Sequence, residues 1–284
     1  MSAIRDPAFA GTWYPGRRDR LEAEIDGMLG AAAETGEPIT GLVSPHAGLM
    51  YSGPVAAHGY RAVAHRPYDV VVLVGPSHYV AFDGIAAAGH SAFRSPLGDV
   101  PIETETVARL VSSHTTIFED LRIHAREHSL ELQLPFLARV LPEVPLVPLL
   151  MGRQDRATCD RLVTALEPVL RGRNVLFVAS SDLSHFHDRA TARRLDAVVL
   201  ERLAGFDADG LQSTLEAFDG HACGGGPMLV AMRAAAAHGT REGRVLRYGD
   251  SGDVSGDLDR VVGYVSASFI ARGQAPAAER ARTP

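Results

Sequence analysis

Lysine is absent from this 284-residue chain, whose 28 basic residues are all arginine. That removes Schiff-base chemistry and the phosphate-gripping lysine of a Walker-type loop, so nucleotide hydrolysis by that route is not expected. Cysteine is scarce as well, with only Cys159 and Cys223. Two cysteines make no disulfide framework, and the composition fits a reducing cytoplasm. No apolar run reaches transmembrane length, and MSAIRDPAFAG at the start lacks the apolar stretch of a secretory signal, so no membrane association is expected. Positive charge is in deficit: the net charge is −6, and no clustered basic stripe offers a nucleic-acid surface. Aromatic residues make up only 6% and include a single tryptophan, Trp13, so any aromatic bordering a polar motif draws notice.

What is present is an ordinary globular composition, 46% hydrophobic and 22% charged, enough to bury a substantial core. No clean linker or long repeat divides the chain. The expectation is a single domain over 1–284, with 271–284, rich in Ala, Arg and Pro, as a frayed tail. Short continuous apolar runs at 39–43, 68–74, 144–150 and 175–179 read as strands covered on both faces. Helical spacing recurs at 19–29, 53–64, 104–113, 129–141, 157–170, 189–203, 208–218 and 228–238, with Pro227 suited to a first helical position. Weaker strands are expected at 84–89, 244–248 and 261–269. Strands alternating with helices predict an α/β fold, a parallel or mixed central sheet with helices on both faces.

Several of the strand runs end in chemistry. Ile39–Val43 empties into Ser44-Pro45-His46, Tyr68–Val74 into Gly75-Pro76-Ser77-His78, and Val175–Ala179 into Ser180, Ser181, Asp182, Ser184, His185 and His187. Cys223 precedes a helix, and His124, Glu127 and His128 stand just ahead of the 129–141 stripe. Ligands in open α/β sheets bind beyond the carboxyl ends of the strands, so these loops converge on one candidate site. Imidazoles and a thiolate suit iron, zinc or copper, whereas magnesium would want more carboxylates. Each residue alone has a structural alternative: a hydrogen-bonded loop histidine, a capping aspartate, a small apolar cysteine. The repetition at strand ends favours a metal or acid/base site.

The motifs AGTWYPG, SPHAG with YSG, VGPSHY, EHSLELQLPF, SSDLSH, ACGGGP and VGYVS, in this order and over nearly the whole chain, resemble the Memo family. That is protein B of the AmmeMemoRadiSam system, similar in fold to the class III extradiol ring-cleavage dioxygenases, which use non-haem iron. The resemblance implies that His46, His78 and Cys223 bind a metal, iron first, with copper or zinc as alternatives. Asp182 and His185 match the polar pair beside it, His185 moving protons and Asp182 fixing its tautomer, the two sharing a face if the turn is helical. His187 reads as structural.

A thiolate where the ring-cleaving relatives carry a carboxylate shifts metal preference. The expected function is a metal-dependent, dioxygenase-like oxidoreductase acting on a small-molecule substrate. Trp13, Tyr14, Tyr51 and Tyr79 are candidates for stacking that substrate, although core packing is the commoner role for each. The alternatives are a non-catalytic metal-binding or adaptor protein, a Cys223–His185–Asp182 hydrolase, or a zinc hydrolase. The family context further implies association with radical-SAM and AMMECR1-type proteins.

Overall fold

The most continuous apolar runs of the chain become the middle of the sheet, where a strand must be buried on both faces. The computed structural model describes residues 3–271. Its strands are β1 (Ile4–Arg5), β2 (Ile39–Ser44), β3 (Val70–Pro76), β4 (Ile85–Ala87), β5 (Ala92–Ser95), β6 (Gly98–Pro101), β7 (Ile117–Glu119), β8 (Leu146–Met151), β9 (Val175–Ser180), β10 (His185–His187), β11 (Thr240–Asp250) and β12 (Val261–Ala271). The helices are α1 (Arg18–Gly30), α2 (Leu49–Val63), α3 (Thr104–Ser113), α4 (Leu121–Ala125), α5 (His128–Glu131), α6 (Leu134–Val140), α7 (Arg156–Leu170), α8 (Arg189–Ala204), α9 (Ala208–Ala217), α10 (Gly225–Ala237) and α11 (Gly252–Ser255).

Nine strands form one mixed sheet in the order β10-β12-β2-β9-β3-β8-β4-β7, with β11 also on β12. The β2–β9, β9–β3 and β3–β8 pairs are parallel, while β12 runs antiparallel to β2, β10 and β11. Every residue of β3, β8 and β9 is buried. Helix α10 packs on β2, β3 and β9 together with α7 and α9, and α2 packs on β2, β11 and β12 together with α1 and α6. The fold is thus the single α/β domain expected, with a mixed sheet flanked by helices.

The elements depart from expectation in four places. The helix expected over 129–141 is broken into α5 and α6: Pro135 has no N–H to continue the i→i−4 ladder and sits at the second position of α6. Helix α10 begins three residues before Met228, so Pro227 is its third residue, not its first. The hairpin of β5 and β6, with β1 beside β5, has too short a pattern to stand out in sequence. Ala271, expected to open the tail, is the last residue of β12; the rest of that tail, 272–284, lies outside the described residues.

A buried ion pair ties the first strand to the rest. Arg5 Nη2 meets Glu131 Oε2 at 2.7 Å, their side chains only 3% and 0% exposed. Glu131 also accepts from the backbone of Ala8 and Phe9 and from the Tyr14 hydroxyl. Removing one partner of such a pair costs about 3–5 kcal/mol, because the other charge is left buried. The segment 5–14 is therefore held against α5, and with it Trp13.

His124 is buried at the start of this region, and its Nε2–H donates to the Ala86 carbonyl at 3.0 Å. Burial first, with the charge of Arg5 adding to it, brings its pKa from 6.5 down to about 3, against a smaller lift from that hydrogen bond. Between these values the unfolded chain binds the extra proton, so stability is fully present above 6.5 and lost as pH falls towards 3. Urea midpoints measured from pH 7 to pH 4 should fall less steeply in His124→Gln, whose amide can still donate to Ala86. The group's share is at most about 1.4 kcal/mol per pH unit. Parallel slopes in variant and wild type would contradict this.

Candidate metal centre

The ends of β2, β3 and β9 lie side by side, with Ser44 in register with Ser180. Their following loops deliver His46, His78 and Asp182 to one place. A fourth contribution comes from α5, which reaches β3 because Gly75 has no side chain: a Cβ there would lie 2.7 Å from Leu130 Cδ2 and Ser129 Oγ. This close approach brings His128 against His78, with ring centroids 4.2 Å apart. The His46 ring lies 5.1 Å from that of His78 and 5.3 Å from that of His128. Each of the three offers one ligand nitrogen, and these atoms lie within 4.8 Å of one another. Three imidazoles so gathered could hold a metal ion.

The tautomer of His46 follows from its neighbours. Tyr60 donates to Gln133 Oε1 at 2.7 Å, which turns Gln133 Nε2 towards the Pro45 carbonyl and Ser180 Oγ, 2.9 and 2.8 Å away. The Ser180 hydroxyl gives its only proton to the Ser129 carbonyl at 2.5 Å. Ser180 Oγ can then only accept from His46 Nδ1, 2.8 Å away. His46 is protonated on Nδ1, so its Nε2 carries the lone pair. His78 is set by a carboxylate: Glu127 Oε1 accepts from Nδ1–H at 2.9 Å and Oε2 from the His78 backbone at 2.6 Å. Burial pushes Glu127 up, but these bonds outweigh it and hold the carboxyl below its usual range. That is the outer-shell arrangement that orients metal-ligating histidines.

His128 Nδ1 is buried with no hydrogen-bond partner, although it lies 3.4 Å from Glu127 Oε1. Burial, then the neighbouring His78, pulls the His128 pKa down to about 4; burial and the other three histidines of the cavity pull His46 well below its ordinary value. Both rings are uncharged near neutrality. Neutral imidazoles with orphaned or freed lone pairs fit a transition-metal ion.

Cys223 sits against the Nε2 side of His46. Its Sγ lies 3.1 Å from His46 Nε2 and 3.3 Å from the Asp182 backbone N–H. Gly224 allows this docking, since a Cβ there would collide with the Ser180 carbonyl. Burial first, then the Asp182 charge, pushes the thiol up, so it is the proton donor to His46 Nε2. Asp182 Oδ1 accepts the backbone N–H of His46 at 2.7 Å and of Ala47 at 3.3 Å. Its Oδ1 is therefore committed to that loop, and no hydrogen bond to the His185 ring is found among the described residues. Burial raises its pKa to about 7 against the pull of the two N–H groups. His185 opens β10, so the turn that was to place it and Asp182 on one helical face is not helical.

A cavity of about 490 Å³ opens over the imidazoles, lined by Trp13, Met50, Tyr51, Asp182, His185 and Phe186 among others. Of the four aromatics named from sequence, Trp13 and Tyr51 line it. Tyr14 is buried with its hydroxyl on Glu131, and Tyr79 is 53% exposed, its ring 5.6 Å from that of His128. Cys223 lines instead a second cavity of about 450 Å³, with Gln154, Gln212 and Leu229. The strand–Pro–His pattern signalled His46 and His78, and a histidine ahead of the leucine stripe was the signal for His128. Ser180 was among the strand-end groups, but nothing local marked its link to Gln133 and Tyr60.

An α/β protein with a three-histidine site at parallel strand ends matches one family. A family model described as Memo-like protein matches residues 5–268. The chain is 39% identical to a MEMO1 family protein of Thermotoga maritima over 277 residues, covering 93% of this chain and 98% of that one. It is 37% identical to one from Methanopyrus kandleri over 278 residues, with 93% and 98% covered. The chain belongs to the Memo-like family. The crystal structure of the uncharacterized protein JW3007 from Escherichia coli K12 shares the fold, with a TM-score of 0.53 at 14% identity over 81% of this chain and 99% of that one.

The orienting role of Glu127 is open to measurement. Glu127→Gln keeps an acceptor but loses the charge behind His78, and affinity for added Zn²⁺ or Fe²⁺ should drop about 10–100-fold by titration. Unchanged affinity would show that His78 needs no such support.

Proposed function

We propose that this protein is a non-haem, metal-dependent oxidoreductase acting on a small molecule, with iron as its metal. The observation that carries the proposal is the group of His46, His78 and His128, with freed lone pairs, under a cavity of a size common for small ligands. His46 and His78 would hold the ion, with His128 or Cys223 as third ligand. Iron or copper would supply Lewis acidity and one-electron chemistry; zinc would supply Lewis acidity alone. The expected likeness to ring-cleavage dioxygenases belongs to this proposal, as do the cytoplasmic location and the association with radical-SAM and AMMECR1-type proteins. Both cysteines are unpaired, which suits a reducing compartment. Among the described residues no helix is long and apolar enough to cross a membrane.

The chain's own groups would manage protons. Asp182, with a pKa near 7, is populated in both forms at neutral pH and can give or take a proton at the cavity wall. His185 lines the same cavity, and burial lowers its pKa, so it serves as a free base. A cysteine hydrolase is disfavoured: an activated thiol needs a lowered pKa, and burial raises that of Cys223.

Metal analysis of anaerobically purified protein tests the reading. Near-stoichiometric iron is expected, falling sharply in His46→Ala and His78→Ala and retained in His185→Ala. Loss in Cys223→Ala but not His128→Ala would assign the thiol as third ligand, and binding would then release a proton. A metal-free wild type that gains no metal on anaerobic incubation with Fe²⁺ would overturn the proposal.

A further inference from the structure

We infer that Phe186 is the specificity-determining wall of the cavity beside the three imidazoles, and that the molecule it admits is uncharged with an apolar face. This rests on that cavity being the ligand site of the function proposed above.

Phe186 is costly in two ways. Its φ of +63° lies in the left-handed region, which non-glycine residues seldom occupy and bulky ones least of all. Its ring is 62% exposed, although it is one of the largest apolar side chains in the protein. The fold offsets part of this with the Arg260 guanidinium 5.3 Å from the ring centroid and a ring contact to His185, yet leaves the residue mostly exposed. The β10–β12 ladder pairs His185 with Val262 and His187 with Val261 and skips Phe186, so this residue is the bulge. Bulges re-aim side chains, and they gather beside functional sites. This one turns the ring to the cavity, where Phe186 is a lining residue next to His185.

The rest of the lining agrees. Met50, 60% exposed, contributes a second apolar surface, and Trp13 a third. Among the described residues no arginine lines the cavity, and the chain has no lysine, so apart from a bound metal a carboxylate or phosphate would meet no cation there. The nearest one to the ring, Arg260, stands 5.3 Å from its centroid, outside the lining. The hydrogen-bonding groups on offer are the imidazoles, Asp182 and the hydroxyls of Thr12 and Tyr51. They suit a hydroxyl or carbonyl on an otherwise apolar molecule.

Benzyl alcohol and benzoate share a ring and differ in charge, and the sole tryptophan, Trp13, lines the cavity, so its fluorescence reports binding of either. In protein stripped of metal by a chelator, benzyl alcohol should bind about tenfold more tightly than benzoate, and Phe186→Gly should weaken benzyl alcohol about tenfold, as loss of a ring's contact area implies. Because glycine takes this φ freely, Phe186→Gly should melt no lower than the wild type. Phe186→Asn, which tolerates the same backbone but is polar, should match it in both respects. Equal or tighter benzoate binding, no signal with benzyl alcohol, unchanged affinity in Phe186→Gly, or a clear drop in its melting temperature would each overturn the inference. Metal uptake by the same protein is measured alongside. A wild type that takes up no metal yet prefers benzyl alcohol would sink the oxidoreductase reading alone, and a metal-binding one that prefers benzoate once stripped of its metal would sink this inference alone.

Discussion

The Ser180 hydroxyl has one proton to give, and the site depends on where it goes. Because the proton lies on the Ser129 carbonyl, Ser180 is an acceptor to both Gln133 and His46, and His46 must keep its lone pair on Nε2. Gln133 cannot be flipped without setting its carbonyl against that of Pro45, and Tyr60 secures it from the other end. All four groups are buried, so no water competes for these bonds, and an unmade one would cost about 1–3 kcal/mol. The chemical state of one imidazole is thus decided by a tyrosine three residues' contacts away. A fold need supply no special residue at the site itself when its core can dictate a tautomer.

Two glutamates on one short stretch divide the remaining labour. Glu127 faces His78 and gives that ring a proton-accepting partner at Nδ1, while Glu131, four residues on, gathers Arg5, Tyr14 and the backbone of Ala8 and Phe9. The first fixes a candidate ligand; the second straps the segment carrying Trp13 over the cavity. Pro135 matters here indirectly. By ending α5 early it keeps this stretch compact, so that His128, Glu127 and Glu131 all sit near the end of β3. One broken helix therefore supplies an imidazole, its neighbour's orienting carboxylate and the anchor of the lid-like segment.

Most of the architecture was legible because it is written in period and length. Continuous apolar runs of about six residues can only be buried strands, and helices between them force a parallel core with polar loops at its carboxyl edge. His46 and His78 were legible for that reason, each following a strand and a proline. His128 was only half legible: it stood ahead of a leucine stripe, but its approach to His78 depends on Gly75, a distant glycine whose meaning appears when α5 is seen against it. Phe186 was not legible at all. Its neighbours Ser184, His185 and His187 read as the chemistry, and nothing in a local sequence says that the residue between two histidines will be bulged out of a ladder. The link from Ser180 through Gln133 to Tyr60 escaped for a related reason, its members being separated by 47 and 73 positions and joined only by the tertiary fold.

The position of Cys223 sets a constraint on whatever occupies the site. His46 Nε2 has a single lone pair, and with no ion present the buried thiol donates its proton there at 3.1 Å. The same lone pair cannot also bind a cation. Occupation must therefore either push the thiol aside, leaving three imidazoles as the donors, or strip it of its proton and draw the sulfur in as a thiolate. The first path leaves charge unchanged and keeps a hard-to-ionise thiol neutral, in line with its burial. The second adds a negative charge beside Asp182, which a divalent ion would offset and an empty site could not. Because Asp182 also contributes to raising the thiol's pKa, the protonation of that carboxyl and the choice of third ligand are coupled. The thiol and His128 flank His46 from different sides, so the two donor sets share His46 and His78 and differ only in charge. It is the charge, more than the geometry, that selects between them.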